Sequence, residues 1–463
     1  MISLFDSALG EVRELVLRDE GRLSIYLCGP TVYDAPHLGH GRHALVWDVL
    51  RRWCTFQGLE VDFVSNITDV DDKIIARAAR DHATETTVAE RSEHLWFAAL
   101  DQLGVARPTH TPHATHYVEG MVELIETLMK DGTAYVLDDG VYFEVARVPD
   151  YGLLAGQPLE SLRAGARVEV VDEKRSPLDF ALWKFAKIGE PCWSASFGPG
   201  RPGWHTECVV MALDLLGEGF DLHCGGLDLK FPHHENERAQ AEALGRAFTR
   251  HWAHHGWVTS GGEKMSKSLD NFTTLDELLS TTDPRAYRLL VLRSHYRAPI
   301  EVTPDIVADA ERALARLDAL ARRFALTSPL DTGMARASDR VWRGEGEALY
   351  QSVAAEMEND LNSPAALARL FEALSKANTL ADRGAYDEAH ELAEAIGALA
   401  GALGLELLAS KVEIDPASAK LVKARDKARS KKEWAKADQL RHELEAKGWV
   451  VEDSAGGTVI RKP

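Results

Sequence analysis

The chain has 463 residues, of which 45% are apolar and 27% are charged, and these fractions are ordinary for soluble globular proteins. A chain of this length exceeds what one hydrophobic core usually serves, so several domains are expected. The formal net charge of -19 argues against broad, nonspecific binding of nucleic acid, which needs clustered lysine and arginine.

The N-terminal segment and the cysteines together predict a cytosolic protein. The segment lacks a basic start followed by an apolar run, and no stretch approaches the roughly 18 apolar residues of a membrane span. The cysteines are too few in so long a chain to form a disulfide framework: Cys28, Cys54, Cys192, Cys208 and Cys224. Cysteines of a reducing compartment are more often buried, metal-bound or catalytic, so metal binding has to be considered.

The first part of the chain alternates strand-like and helix-like segments. RLSIYLCG and VDFVSNITD predict strands, and HALVWDVLRRWCTFQG and DDKIIARAARDH predict the helices that follow them. This order predicts an α/β domain with a parallel sheet and crossover helices, beginning in residues 1–116. Short strands and turns then predict a connective insertion at 117–200, and the α/β pattern resumes at 201–260.

The second half of the chain predicts helical and mixed units. A turn-rich loop, GGEKMSKSLDN, begins a region at 261–310, and Ala-, Leu- and Glu-rich stretches with a 3.6-residue period predict a helical bundle at 311–410. The last unit, 411–463, combines a basic helix with two short β-like runs around a Gly-rich turn. Between 420 and 447, ten Lys or Arg residues stand against five Asp or Glu residues, so this mixed α/β unit is the expected polyanion contact.

Two short motifs predict phosphate chemistry. His37, Gly39 and His40 belong to HLGH, which follows a strand and a loop and precedes an amphipathic helix, where backbone N–H groups and the helix dipole favour phosphate. The glycine lets a flat adenine approach the backbone closely. Lys264 and Lys267 belong to KMSKS, in a loop that can close over a triphosphate with two ammonium groups. Each motif alone is also compatible with an ordinary turn or a solvated loop.

Taken together, the two motifs resemble the signature pair of the class I aminoacyl-tRNA synthetases, which read HIGH and KMSKS. The resemblance implies a Rossmann-like fold that forms an aminoacyl-adenylate from ATP, with Mg²⁺ accompanying the nucleotide. It places Lys267 at the second signature lysine, which contacts the ATP phosphates, and it implies that His37, His40 and Lys264 steady the developing charge. Residues 261–310 then correspond to the signature loop and a stem-contact region.

Four residues from three separate stretches are candidate metal ligands. Cys28 ends the first predicted strand, Cys208 lies in GWHTECVVM, and His233 and Glu237 stand at i and i+4 in FPHHENE, on one face of a helix. Two thiolates, an imidazole and a carboxylate would make a tetrahedral zinc site. Spacing alone does not reveal such a site, and the alternatives are buried structural cysteines and a His–Glu pair on a helix surface.

The same four residues match, position by position, the zinc ligands of the cysteinyl-tRNA synthetases, which the chain resembles over essentially its whole length. Supporting strings are CGPTVYDAPHLGH, NITDVDDKI, GRPGWHTEC and FPHHENE. The resemblance implies that Trp204 packs over the bound side chain, that Asp228 receives the substrate ammonium, and that Thr68 contacts ATP or the adenylate. The alternatives are a plain core role for Trp204 and a cap role for Asp228.

The resemblance also implies anticodon contacts in the C-terminal unit. Arg429, Trp434 and Asp438 match positions that would offer a cation, a stacking face and a base-edge acceptor to unstacked bases. The alternative is an exposed basic helix with one buried tryptophan.

Two features depart from the family. Cys224 replaces a glycine and is either inert or an alternative metal ligand. The C-terminal string GTVI lacks the final aromatic residue of the usual GTxW, so a stacking role is not expected at Ile460.

The resemblance therefore predicts an enzyme that binds ATP, L-cysteine and tRNA(Cys), carries one zinc per chain, and acts as a monomer away from membranes. A soft thiolate coordinates zinc better than the hydroxyl of serine, so the metal would select the substrate.

Two alternative functions remain. A related ligase joins cysteine to an amino-sugar but lacks an anticodon-binding region, and a noncatalytic zinc and RNA-binding relative would show decay in the ATP motifs.

Overall fold

The computed structural model describes residues 2–156, 173–260, 263–264, 274–326, 336–408, 415–454 and 457–461. The described strands are β1 (Ser3–Asp6), β2 (Glu11–Glu14), β3 (Arg22–Leu27), β4 (Glu60–Ser65), β5 (Ala134–Leu137), β6 (Gly140–Phe143), β7 (Phe180–Phe185), β8 (Gly200–Pro202), β9 (Leu222–Gly226), β10 (Trp252–His255), β11 (Val258–Ser260), β12 (Glu263–Lys264), β13 (Ile300–Glu301), β14 (Val450–Ser454) and β15 (Gly457–Arg461).

The described helices are α1 (Leu38–Phe56), α2 (Asp72–Asp81), α3 (Glu85–Gln102), α4 (Val118–Lys130), α5 (Trp204–Leu215), α6 (Glu235–Ala243), α7 (Leu275–Leu279), α8 (Pro284–Leu292), α9 (Pro304–Phe324), α10 (Gly344–Glu358), α11 (Ser363–Asp382), α12 (Tyr386–Ala402), α13 (Pro416–Ser430) and α14 (Trp434–Ala446). Of these helices, none is both long enough and apolar enough to cross a membrane.

A parallel sheet forms the centre of the molecule. Its four strands lie in the order β10-β9-β3-β4, and every neighbouring pair is parallel. All residues of β3 except the first are buried, as expected for a parallel strand that helices cover on both faces. The helix α1 follows β3 and packs Leu45, Trp47 and Leu50 into the same core as Leu23 and Ile25. The predicted α/β class with a parallel sheet is confirmed.

A smaller antiparallel sheet lies between β4 and β9 in the sequence. Its strands follow the order β5-β6-β7-β8, so the predicted short strands are present in this segment. The segment opens, however, with the helix α4, because Val118, Met121, Ile125 and Leu128 recur at helical spacing and bury one face. That helix packs against α5, which joins the inserted sheet to the central one.

The helices α9 to α12 form the predicted bundle. Helix α9 begins with Pro304 in its first turn and with Thr303 as its cap, whose hydroxyl accepts a hydrogen bond from the Ile306 N–H at 3.3 Å. The helices α10, α11 and α12 pack on one another, and α12 also contacts α1 of the α/β unit. The bundle core is therefore continuous with the core beneath the central sheet.

The C-terminal unit has a small core of its own. It consists of α13, α14 and the antiparallel hairpin β14–β15, which confirms the two β-like runs read from the sequence. Leu444, Trp449 and Val451 are buried together. The indole N–H of Trp449 donates to Ser418 Oγ at 2.9 Å, so the buried indole keeps a polar partner.

Asp360 joins the N-terminal hairpin, the α/β unit and the bundle. It lies between α10 and α11, is 5% exposed and has a positive φ of 55°. Its Oδ1 accepts hydrogen bonds from the Phe5 N–H at 2.8 Å and the Tyr296 hydroxyl at 2.7 Å, and Arg297 Nε donates to Oδ2 at 2.8 Å. Its own N–H donates to the carbonyl of Ser3. One carboxylate therefore connects three parts of the chain.

Replacing Asp360 by alanine should lower the free energy of unfolding by about 3 kcal/mol, because buried donors lose a charged acceptor and alanine is disfavoured at positive φ. Asp360→Asn tolerates that φ and should lose about 2 kcal/mol. The control is Asp382→Ala, because the Asp382 side chain is 64% exposed where it pairs with Arg323. Loss of this ion pair should lower the free energy of unfolding by less than about 1 kcal/mol. Thermal unfolding of the three variants is the measurement. Equal midpoints for Asp360→Ala and Asp382→Ala would contradict the role of Asp360.

Candidate active site

A cavity of about 260 Å³ lies at the carboxyl ends of β3, β9 and β10. Its position follows from the topology, because β4 lies on one side of β3 and β9 on the other, and ligands bind where the strand order of an open α/β sheet reverses. The lining residues are Cys28, Gly29, Pro30, Thr31, Tyr33, His37, Gly39, His40, His43, Lys73, Trp96, Trp204, Gly226, Asp228, Leu229, His255, Gly256, Trp257 and Val258.

The HLGH motif forms one end of this cavity and is the first turn of α1 rather than a segment before it. His37 is the N-cap, its Nδ1 accepts a hydrogen bond from the His40 N–H at 3.3 Å, and the His37 N–H donates to His40 Nδ1 at 3.2 Å. The two imidazole rings stack with centroids 3.8 Å apart. A Cβ at Gly39 would lie 2.7 Å from His37 Cε1, so only glycine leaves room for this ring. The geometry presents two imidazoles and a helix N-terminus to the cavity.

The four candidate metal ligands meet beside the cavity, and Cys28 is the one of them that lines it. Cys28 follows β3, Cys208 lies in α5, and His233 and Glu237 lie on α6 and the turn before it, so separate elements supply them. All four are buried, and their potential ligand atoms lie within 4.8 Å of one another.

The spacing of these donor atoms fits a tetrahedral metal ion. The Sγ atoms of Cys28 and Cys208 are 3.6 Å apart, Cys28 Sγ is 3.4 Å from Glu237 Oε1, and Cys208 Sγ is 3.7 Å from His233 Nε2. Donors of a zinc ion with bonds of about 2.0–2.3 Å lie roughly 3.3–3.8 Å apart. A fourth edge, His233 Nε2 to Glu237 Oε1, is shorter at 2.8 Å, the length of a direct hydrogen bond.

The electrostatics of the cluster also favour a cation. Burial raises the pKa of Cys28 well above its usual range. Burial has the same tendency at Cys208, but the hydrogen bond from Cys28 and the nearby His233 outweigh it and lower that pKa to about 6. Burial likewise opposes ionisation of Glu237, yet His233 and His223 hold its pKa well below the usual range. Two acidic groups that ionise readily are therefore enclosed without water, where a divalent cation stabilises them.

Aromatic rings hold His233 in place. The Trp204 indole stacks on the His233 ring with centroids 4.2 Å apart and an interplanar angle of 21°. On the other side, the Nδ1 atoms of His205 and His233 are 2.9 Å apart, so one ring donates and the other accepts. Burial lowers the pKa of His205 well below its usual range, and its neutral ring can be the acceptor. A hydrogen bond of this kind fixes the tautomer of a metal-binding histidine.

The predicted substrate contacts separate into two groups. Trp204 and Asp228 both lie in the cavity wall, and the indole of Trp204 is 36% exposed above the metal-ligand cluster. Thr68 does not lie in the wall. It is 1% exposed, and its hydroxyl donates to Glu207 Oε2 at 2.7 Å. Its hydroxyl is enclosed between the loop after β4 and helix α5 in this structure, and its expected contact with the nucleotide stays a prediction.

Only part of the KMSKS motif belongs to the described residues. Lys264 ends the short strand β12, where its backbone pairs with Thr259, and its side chain is not among the described ones. Lys267 lies outside the described residues altogether. The strand β11, which leads into the motif, starts at Val258 in the cavity wall. The chain thus enters the motif from the edge of the cavity.

The predicted anticodon residues lie close in sequence at the junction of α13 and α14. Arg429 is near the end of α13, Trp434 is the first residue of α14, and Asp438 follows one turn later. The Trp434 side chain is 60% exposed, so the alternative of a buried tryptophan is wrong. Trp434 and Asp438 stand at i and i+4, on one face of the helix.

Several buried histidines border the site, and the sequence does not show which groups they contact. His43 Nδ1 is 3.0 Å from His255 Nε2, and His223 Nε2 is 2.6 Å from Glu237 Oε2. The one available signal was the unusual number of histidines near the motifs. Cys224 is fully buried in β9 and belongs to neither of the metal-ligand groupings found among the described residues, which supports an inert thiol.

Comparison with family models covers most of the chain. Residues 14–312 match the model of the tRNA synthetases class I (C) catalytic domain. Residues 352–408 match the DALR domain, and residues 411–461 match the cysteinyl-tRNA ligase anticodon binding domain.

Curated relatives and solved structures agree with these matches. A cysteine–tRNA ligase of Chromobacterium violaceum is 42% identical with all of both chains covered, and one of Alkalilimnicola ehrlichii is 44% identical with 96% of each covered. A Mycobacterium tuberculosis methionyl-tRNA synthetase in complex with methionyl-adenylate shares the fold, with 15% identity, a TM-score of 0.59, and coverage of 83% of this chain and 90% of that one. The chain belongs to the cysteine–tRNA ligases, enzymes of the class I aminoacyl-tRNA synthetase family.

Proposed function

We propose that this ligase activates L-cysteine as an adenylate with ATP, transfers it to tRNA(Cys), and selects the substrate thiol with a zinc ion. The observation that carries the proposal is the buried group Cys28, Cys208, His233 and Glu237, whose member Cys28 lines the same cavity as His37, Gly39 and His40. A substrate that spans this cavity has its side chain at the thiol- and imidazole-lined end and its carboxylate toward the nucleotide end.

The donor set supports zinc as the metal. Two cysteine sulfurs, one imidazole and one carboxylate are soft-to-borderline donors that suit zinc better than magnesium or calcium, which prefer oxygen. Cys28, Cys208, His233 and Glu237 would hold the ion, which supplies a Lewis acid that favours the thiolate form of bound cysteine. A site selective for a thiolate discriminates against serine without a separate editing reaction.

The protein side chains position the remaining substrate groups. Trp204 covers the amino acid side chain, and the carboxylate of Asp228 accepts hydrogen bonds from the substrate ammonium. At the nucleotide end, Gly39 lets the adenine approach, while His37 and His40 donate to phosphate oxygens as charge develops. Lys264 and Lys267 act on the triphosphate from the KMSKS loop, and Mg²⁺ accompanies the ATP. Thr68 contacts ATP or the adenylate through its hydroxyl, which bonds to Glu207 in this structure.

The C-terminal unit supports transfer to tRNA. Its exposed Trp434 offers a stacking face, Arg429 a cation and Asp438 an acceptor for unstacked anticodon bases. We keep the division proposed from the sequence: a catalytic unit split as 1–116 and 201–260 around an insertion at 117–200, a stem-contact region at 261–310, a bundle at 311–410 and an anticodon unit at 411–463. A monomer located in the cytosol completes the proposal.

The direct test is aminoacylation of total tRNA with radiolabelled cysteine and with serine, with and without a strong zinc chelator. Charging with cysteine alone, abolished by the chelator and restored by zinc, is the expected result. Cysteine-dependent pyrophosphate exchange without charging would favour the amino-sugar ligase. Charging that survives complete removal of the metal would overturn the role of zinc.

Cys208→Ser should reduce bound zinc to a small fraction of the wild-type content, because a hydroxyl does not replace a thiolate ligand. Cys192→Ser is the matched control, since Cys192 is exposed and lies apart from the cluster, and it should keep the wild-type content. Metal analysis of the purified proteins decides the matter. Equal zinc in the two variants would show that Cys208 is not a ligand.

Trp434→Ala should lower kcat/KM for tRNA charging by about 10- to 100-fold, since stacking on an aromatic ring contributes about 1–3 kcal/mol per base. Cysteine-dependent pyrophosphate exchange should not change, because the residue lies outside the cavity. Tyr386→Ala, which removes an exposed aromatic ring from the bundle, is the control and should leave charging unaffected. A fall in pyrophosphate exchange in Trp434→Ala would contradict a contact made only with tRNA.

A further inference from the structure

The two carboxylate oxygens of Glu237 have different partners. Oε1 faces the metal-ligand group, 2.8 Å from His233 Nε2 and 3.4 Å from Cys28 Sγ. Oε2 points the other way and is 2.6 Å from His223 Nε2. Both the Glu237 and the His223 side chains are completely buried, so water does not compete for this bond.

His223 is itself fixed by the central sheet. It lies in β9 opposite Tyr26 of β3, and its Nδ1 is 3.2 Å from the Tyr26 carbonyl oxygen. The contacts with this carbonyl and with Glu237 are both hydrogen bonds when each ring nitrogen carries a proton, since the two oxygens only accept. Its ring packs against those of His234, Trp252 and Tyr26, with centroids 4.3, 4.8 and 5.3 Å away. The ring therefore has one orientation, and its Nε2 is held toward Glu237.

We propose that His223 is a positioning residue that keeps Glu237 bound to the metal through Oε1 alone. A carboxylate can bind a cation through one oxygen or through both, and a catalytic zinc site needs an open position for its substrate. By holding Oε2 in a hydrogen bond, His223 prevents Glu237 from filling the position that the substrate thiol requires. This inference rests on the proposed function, because it assumes that the thiol binds the metal.

A competing arrangement uses the same residues. Cys28 and Glu237 also group with His223 and His234 as four potential ligands within 4.8 Å, and among the described residues His234 Nε2 is buried without a partner. In that arrangement His223 would be a ligand itself. The grouping with Cys208 and His233 is the better metal site, because it contains a second thiolate and therefore more negative charge to balance the cation. The two arrangements predict different metal contents when His223 is replaced.

Two polar replacements separate the two hydrogen bonds of His223. In His223→Gln the side-chain amide can reach Glu237 Oε2 in place of Nε2, whereas in His223→Asn the shorter amide can reach only the Tyr26 carbonyl. His234→Asn is the matched control, since it changes an equally buried neighbouring ring whose Nδ1 bonds to His254 and not to Glu237. All three are made in the full chain and loaded with Co²⁺, whose absorption reports thiolate ligands.

The measurements are metal content and the rise in thiolate-to-cobalt charge-transfer absorption as cysteine is added. We expect all variants to keep about one metal ion per chain. His223→Asn should need about ten times more cysteine for half of the absorption change, the size of effect typical of lost support to a ligand. His223→Gln should stay within about three-fold of the wild type, and His234→Asn should match it.

Two results would overturn the inference. Wild-type cysteine affinity in His223→Asn would show that the second oxygen of Glu237 does not need to be restrained. Loss of the metal from both His223→Asn and His234→Asn would make these residues ligands. Failure of the proposed function can be told apart from failure of this inference. In that case the thiolate-to-cobalt absorption of the wild-type Co²⁺ protein would not rise when cysteine is added.

Discussion

The site depends on one electrostatic constraint, the burial of acidic side chains beneath a sheet with no water to solvate them. Glu237 and Cys208 have depressed pKa values and are essentially inaccessible to solvent. In such surroundings an isolated charge costs several kcal/mol, so each one needs a partner. The protein supplies His233 and His223 from two sides of Glu237, and it leaves a gap between sulfur and carboxylate oxygen that suits a metal ion.

Neutral histidines surround this charged centre. Burial lowers the pKa of His43 and holds that of His255 well below its usual range, and it lowers that of His254 to about 3. Uncharged imidazoles can donate and accept hydrogen bonds without adding positive charge beside a cation. Of these residues, His43 and His255 line the cavity, where their neutral rings offer hydrogen bonds without adding charge. Asp228, the residue proposed to receive the substrate ammonium, lies in the same wall.

The fold connects this chemistry to the helical half of the chain through buried ion pairs. Arg288 of α8 donates to Asp48 of α1 at 2.6 Å, and both side chains are 1% exposed. A Cβ at Gly404, just after α12, would lie 2.3 Å from Arg288 Nη1, so the end of the bundle must approach this guanidinium without a side chain. Together with Asp360, these contacts fix the bundle against the helix that begins with HLGH. The wall of the cavity and the helical bundle therefore belong to one continuous framework.

The sequence by itself determined the fold class and most of the candidate site. Strand and helix periodicity predicted the parallel sheet, because it can be read locally. The family resemblance carried by short motifs indicated His37, His40 and the four candidate ligands, a set that spacing alone does not reveal. It did not determine which side chains face each other across elements. That Thr68 bonds to Glu207 and not to the cavity, and that His223 meets Glu237, was decided by the pairing of β3 with β9 and the packing of α5 and α6. Such contacts join residues far apart in the chain, and only the tertiary arrangement sets the distances on which hydrogen bonds and pKa values depend.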